Sequence, residues 1–209
     1  MELTSNYKVL PISYNETKPF ILDIHYAKRL PCITNSFGLF ENNELVGIIT
    51  YGIPASNSLC IGIAGDENKK NILELNRLVL KNNKRNEASF LIGNSLNLLK
   101  KPKIIVSYAD TKQNHTGYVY QATNFFFTGT TKPRTDMASK DGKHSRHHLG
   151  NSKNRINRSA KHRYIYILGN KKDKKSLLKK IRYPILNYPK FQNKNYITNT
   201  NIQTQRILI

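Results

Sequence analysis

The residues with the most chemistry in them lie in SYADTKQNHTGYVYQATNFFFTGTT, residues 107–131. An apolar run, Lys103 to Val106, reads as a buried strand, and Ser107, Tyr108 and Asp110 fall at its carboxyl end. In open α/β sheets ligands bind at that end, where the following turn offers unpaired N–H groups. Asp110 has two readings. It is a site carboxylate, or with Thr111 it begins a turn and caps a helix over Gly117 to Phe125. Ser107 has no adjacent His/Asp constellation in sequence, so a hydrogen bond to substrate fits it better than a nucleophilic role. Tyr118 and Tyr120 are two apart, about 200° around a helix, and cannot both face one site. One of them belongs to the core.

These residues need a frame, and 209 residues suffice for one domain with an appendage. Of the 34 Lys and Arg and 13 Asp and Glu, residues 1–130 hold 14 and 10, leaving 34 − 14 = 20 and 13 − 10 = 3 for residues 131–209. The last 79 residues thus carry +17 of the net +21. Such asymmetry points to a polyanion on one face. Nucleic acid is the expected partner, before an anionic membrane surface or a merely solvated basic face. Cys32 and Cys60 form no ligand pattern and the six His have no zinc spacing, which fits a reduced, intracellular compartment. Ile21 to Ile24 is too short for a signal peptide, and no apolar run approaches ~18 residues, so no membrane association is expected.

The periodicities give an α/β (α+β) order. Tyr7 to Tyr14 is a strand, and Glu16 to Leu30 a helix stopped by Pro31. Phe37 to Phe40 and Leu45 to Tyr51 form a hairpin around Asn42 and Asn43, which tolerate positive φ. Leu59 to Ala64 and Leu73 to Leu80 read as strands, Ala88 to Leu99 as an amphipathic helix. Residues 131–163 are nearly devoid of apolar side chains and read as a mobile or ligand-ordered loop. Tyr164 to Leu168 is a strand, GNKKDKKSLLKK a turn and basic helix, Arg182 to Tyr188 a short extended piece, and 191–209 a tail.

The order up to residue 130 resembles the GNAT fold, a mixed sheet that opens between its fourth and fifth strands. On that mapping ILELNRLVL is the fourth strand, KIIVSYAD the fifth, and KNNKRNEAS takes the place of the pyrophosphate loop. The loop lacks the glycine pair usual there, since the first glycine after Leu80 is Gly93. Finer motifs resemble the phage Mom-type proteins: HYAKRLP at 25–31, LVGIITYG at 45–52, ELNRLVL at 74–80, NEAS at 86–89, SYAD at 107–110 and GYVYQATNFFFTGTT at 117–131. RYIYIL and RYPILNYPK also look like that group's carboxyl-terminal strands.

The resemblance implies a GNAT-like catalytic core over 1–130, a basic DNA-binding extension over 131–190 completing the same domain, and a tail. It implies a carbamoylmethyl-type modification of adenine N6 in double-stranded DNA, which protects phage DNA from restriction, in the cytoplasm of an infected bacterial host. An acyl-coenzyme A or iron is the cofactor it suggests. His25 and Tyr26 match the family's His-Tyr pair, and with Asp110 they would ligate a divalent metal or relay protons. Asp110 would orient or deprotonate the adenine amine, and Tyr120 stands where acetyltransferases keep a tyrosine acid. A flipped base would stack on Tyr108, Tyr118 or Phe125 to Phe127, the last being core by the ordinary reading. Arg29, Lys132, Arg134, Lys143, His144, Arg146, His147 and His148 would follow the backbone. Arg77 would bind phosphate or pair with Glu74. Monomer and homodimer both stay open. The rival functions are an N-acetyltransferase acting on a protein, RNA or small amine, and a non-catalytic DNA-binding protein.

Overall fold

In the computed structural model, which describes residues 6–137 and 155–189, one seven-stranded sheet organises the chain. Its strands are β1 (Tyr7–Pro11), β2 (Asn35–Glu41), β3 (Glu44–Gly52), β4 (Ile72–Leu80), β5 (Lys103–Asp110), β6 (Phe126–Thr130) and a late strand, Lys161–Leu168. Two further strands, β7 (Arg134–Met137) and β8 (Arg155–Arg158), pair with each other as a separate antiparallel ribbon, so the late strand is β9. The order across the main sheet is β1-β2-β3-β4-β5-β9-β6. This mixed sheet flanked by helices is the GNAT-like architecture expected from the sequence.

The β2–β3 hairpin turns through Asn42 (φ 50) and Asn43 (φ 68), as paired asparagines allow. β4 and β5 are parallel, and they pair only from Ile72 to Glu74 against Ile104 to Val106. Beyond Glu74 the strands part. The Ser107 hydroxyl closes the neck of the opening by donating to the Leu75 carbonyl at 2.9 Å. β5 continues instead along β9, from Lys103 opposite Leu168 to Asp110 opposite Lys161.

Period-two alternation splits the core between the two faces of this sheet, with one step in β4 where the register with β3 skips Asn76 and brings Leu75 and Leu78 to the same face. On one face Leu75, Leu78, Ile105 and Tyr164 pack with α3 (Glu87–Leu98) and α4 (Tyr118–Ala122). On the other, Ile72, Ile104, Val106 and Ile165 pack with α2 (Asn57–Ala64) and α5 (Lys171–Leu178). A smaller cluster of Phe20, Ile21, Ile48 and Val79 holds α1 (Tyr14–Pro19) and the turn after it. Gly117 (φ 76) starts α4 where a Cβ would run into the Tyr164 ring.

Three elements differ from expectation. Leu59 to Ala64 is helical. Ser56 caps α2 by accepting the Leu59 N–H, and Cys60, Ile63 and Ala64 then fall at i, i+3, i+4 on the buried face. The expected helix over Glu16 to Leu30 stops at Ile24. Its opening turn has a capping box, Ser13 with Glu16. Pro19 is followed by a wider π-helical turn, Phe20–Ile24, in which the His25 N–H reaches the Phe20 carbonyl. Third, the polar region after residue 130 contains β7, β8 and the start of β9. Among the described residues no helix is long and apolar enough to cross a membrane.

Candidate active site

The π-helical turn delivers His25 in extended conformation (φ −69, ψ 134) to the face of the sheet where β4 and β5 part. The segment that follows is tied down at several points. The Ala27 N–H donates to His25 Nδ1 at 3.0 Å, and Lys28, at φ 42, donates its N–H to the His25 carbonyl. Arg77 on β4 donates Nη2 to the Arg29 carbonyl and Nη1 to its neighbour's, both at 2.6 Å, and Asn76 reaches the Cys32 carbonyl at 2.8 Å. Arg77 is therefore a tether for the His25–Tyr26 segment, with its fork turned to main chain rather than to a phosphate. Burial lowers its pKa to about 10.

From the far side of the opening, β5 and the turn after it bring His115. Its N–H donates to the Asp110 carbonyl at 3.1 Å, next to Asn114 in the left-handed region. Three rings then stand in series. His25 stacks on Tyr26 at 4.5 Å between centroids, and Tyr26 meets His115 edge-on at 5.9 Å. Tyr26 is 38 % exposed, whereas His115 is 4 % exposed and neither ring nitrogen has a partner among the described residues. Unpaired buried polar groups of this kind cost about 1–3 kcal/mol each.

Burial, helped by Arg77, His115 and Lys161, drives the His25 pKa down to about 3. Burial brings His115 to about 4, with Asp110 opposing and Lys161 reinforcing the shift. Both imidazoles are neutral near pH 7. His25 accepts at Nδ1, so its proton is on Nε2 and it faces the site as a donor. Burial and then Asp110 push the Tyr26 phenol up to about 12, against the pull of Arg77, Arg158 and Arg29.

Asp110 is a joint. Its Oδ1 accepts from the Ser159 hydroxyl and from the Lys112 N–H at 3.0 Å, and its Oδ2 from Lys161 Nζ at 2.9 Å. Burial raises its pKa, but the Ser159 and Lys161 bonds outweigh that and leave it below the ordinary value. Thr111 adds bonds to the Ala160 carbonyl, so the end of β5 is laced to the β8–β9 turn. An open depression of ≈ 590 Å³ lies along this seam, lined by Lys112, Pro133, Asn157 and Arg158 among others. Lys132 and Arg134 are exposed beside it, Arg158 pairs with Asp136 at 3.4 Å, and the charges of Arg134 and Arg158 are felt at Arg29. Lys143, His144, Arg146, His147 and His148 lie outside the described residues.

Ser107 and Tyr120 sit behind the neck, on the α3–α4 face. Tyr120 is fully buried; burial raises its pKa and the nearby Ser107 hydroxyl opposes the shift, while among the described residues no partner meets its hydroxyl in hydrogen-bond geometry. Tyr118, on the outer side of α4, is 60 % exposed. Tyr108 is half-buried on the α2–α5 face close to Arg163 and Tyr183, and burial raises its pKa. Phe125 and Phe127 are core, Phe126 half-buried.

The groups that the sequence resemblance suggested can be tested on these donors. Among the described residues no three His, Cys, Asp or Glu side chains are placed to hold a metal ion. His25 would have to give up its Ala27 bond to ligate through Nε2 as a neutral imidazole, and both Asp110 oxygens are engaged. As placed here, His25 and Asp110 are turned to protein partners and do not form a ready iron site. At the start of α3, where a pyrophosphate would meet bare N–H groups, Glu87 is 1 % exposed and accepts from the Lys84 N–H at 2.7 Å and the Tyr7 hydroxyl at 2.9 Å. An anion there would face a buried carboxylate, so the usual seat of a coenzyme A diphosphate does not fit either.

Residues 6–190 match the Mom protein family. The chain belongs to that family. It is 28 % identical over 188 residues to the methylcarbamoylase Mom of Escherichia phage Mu, covering 79 % of this chain and 76 % of that one. In fold it is similar to a probable acetyltransferase from Staphylococcus epidermidis (TM-score 0.50, 16 % identity, 78 % and 99 % of the two chains). It is equally similar to Arabidopsis thaliana NAA60, solved in complex with acetyl-CoA (0.50, 14 %, 78 % and 98 %). Four residues described here were not singled out from sequence: His115, Ser159, Lys161 and Glu87. His115 carried a signal in its place inside the polar stretch after β5, and Glu87 in the NEAS motif at 86–89.

Proposed function

We propose that this Mom-family chain is a transferase that modifies adenine in DNA at its exocyclic N6, with a carbamoylmethyl-type group, and so shields phage DNA from restriction. The observation that carries the reading is the series His25, Tyr26, His115 at the parted end of β4 and β5, rimmed by Arg29, Arg134, Arg158 and Lys161. A catalytic opening next to a basic rim suits a base flipped out of a duplex, since unstacking brings N6 to a recessed site and a ring can receive the base face. Tyr26, the most exposed of the three, is the platform this arrangement offers.

The chain's own groups divide the work. The Tyr26 ring stacks, His25 donates from Nε2, and the Ser107 and Tyr120 hydroxyls lie behind the neck of the opening. Asp110 holds the site and the basic ribbon together. Arg134, Arg155 and Arg158 on β7 and β8, with Lys132, contact phosphates. A two-stranded ribbon has the width to enter a major groove. The family relative from phage Mu, named as a methylcarbamoylase, supports the class of group transferred. The filled diphosphate seat speaks against an ordinary N-acetyltransferase.

The test is intact-nucleoside mass spectrometry of plasmid DNA from cells expressing the chain or an empty vector. A heavier adenosine found only with the chain is expected. Unchanged nucleosides, with soluble protein present, would overturn the reading.

A further inference from the structure

His115 is the unexplained polar group of this site. An imidazole that is 4 % exposed has one N–H to donate and one lone pair to fill, and neither ring nitrogen has a partner among the described residues. Native proteins pair the great majority of such groups, and an exception calls for a ligand or a task. The ring is placed for one. It borders Tyr26 edge-on at 5.9 Å, and its main chain is pinned to the last residue of β5, so it cannot drift from the opening.

The other groups nearby are less suited to taking up a proton. Asp110 already accepts three hydrogen bonds, from Ser159, Lys112 and Lys161, and these hold its pKa below the ordinary value, so it is a weak base. The acceptor nitrogen of His25 is filled by the Ala27 N–H, so that ring can only donate. Tyr26 is a protonated phenol. Of these four groups, His115 alone keeps a buried ring nitrogen with no hydrogen-bond partner among the described residues.

We infer that His115 is a catalytic residue of the adenine modification, the side chain that contacts the exocyclic amine and takes its proton. The inference rests on the DNA-modifying function proposed above. The N6 lone pair is delocalised into the purine, so the amine attacks well only as an N–H proton is drawn away. In the step, an N6–H bond breaks and its proton passes to the open imidazole nitrogen. The N6 electron pair forms a bond to the electrophilic carbon of an activated acyl or alkyl donor, whose leaving group departs with its bonding pair. The imidazolium then returns the proton to the leaving group or to water. Asp110 faces the imidazolium and favours it, and Lys161, paired to Asp110, tempers that attraction.

The experiment compares wild type with His115→Asn and His115→Ala by nucleoside mass spectrometry of plasmid DNA. Melting temperature and duplex affinity are measured on the same proteins. Each variant is expected to melt no lower than wild type and to bind duplex equally, while adenine modification falls by about 10²–10⁴-fold. In a second arm, protein with ¹⁵N-labelled histidine is titrated with an adenine-containing single-stranded oligonucleotide and with an all-thymine one. The His115 ring nitrogens should shift with the first alone. Modification by His115→Asn at the wild-type level would overturn the inference, as would bound adenine oligonucleotide that leaves those resonances in place. Should the variants fail to melt cooperatively, the titration of wild type decides. Wild-type protein that modifies no DNA would overturn the function beneath the inference, a result distinct from active variants.

Discussion

Replacing Tyr120 with Phe separates a chemical role from a structural one, because the two predict opposite signs. The ring is core, packed at 5.4 Å from Phe125 and 5.3 Å from Tyr164, and Phe keeps those contacts. What is lost is a fully buried hydroxyl with no partner in hydrogen-bond geometry among the described residues. An unsatisfied buried hydroxyl destabilises the native state by about 1–3 kcal/mol, and deleting it leaves a void that takes back roughly 1 kcal/mol. The expected net gain is about 1 kcal/mol, or about 2–4 °C in melting temperature for a chain of this size. Scanning calorimetry or circular dichroism would measure it, with nucleoside mass spectrometry on the same variant. A hydroxyl that acts at the neck gives a protein that is more stable and makes about 10²-fold less modified adenine. A fall of more than 2 °C would refute the reasoning, since it would mean that the hydroxyl is bonded in the native state.

Asp110→Asn should cost about 2–4 kcal/mol by weakening three charge-assisted bonds, and it should remove an acid-sensitive component of stability. Because the folded pKa of Asp110 is depressed, its contribution is full above the unfolded value of about 4 and is lost as pH falls through the folded value. Melting temperatures of the two proteins should therefore converge in acid; a constant gap from pH 7 to 2 would contradict this. Glu87→Ala removes a buried carboxylate and orphans the Lys84 N–H, for about 3 kcal/mol and a drop of about 6–12 °C in the same melting assay. A drop below 2 °C would show that the α3 terminus does not depend on it. Arg134→Ala and Arg155→Ala on the ribbon should each lower the slope of log affinity against log salt by about 1 for any duplex, with unaltered slopes locating the phosphate contacts elsewhere.

Much of this architecture was legible because its signals are local. Asn42-Asn43 announced its turn, the apolar run into Ser107 announced β5, and the 200° between Tyr118 and Tyr120 put one ring outside and one inside. Failures came where local signals tie or distant partners decide. A six-residue apolar run such as Leu59 to Ala64 fits strand and helix alike, and only the Ser56 cap breaks the tie. β7 and β8 pair across residues that separate them widely in sequence, and neither is apolar enough to be seen alone. At the site, Asp110 was found by its place at a strand end, but its role as a joint depends on Ser159 and Lys161, some 50 residues on. His115 resembled any histidine in a polar turn, and only the folded surroundings show that it is buried and unpaired.

The position of β9 between β5 and β6 bears on how the chain is made. The inner edge of β5 keeps its hydrogen-bonding groups open until Leu168 has been synthesised, 168 − 110 = 58 residues after β5 ends. At about 5–20 residues per second that is roughly 3–12 seconds on the ribosome. During that time an apolar strand, Ile104 to Val106, presents an unpaired edge to whatever is nearby. β6 emerges sooner, but its partner in the finished sheet is β9 rather than β5, so this edge of β5 must wait for the last central strand.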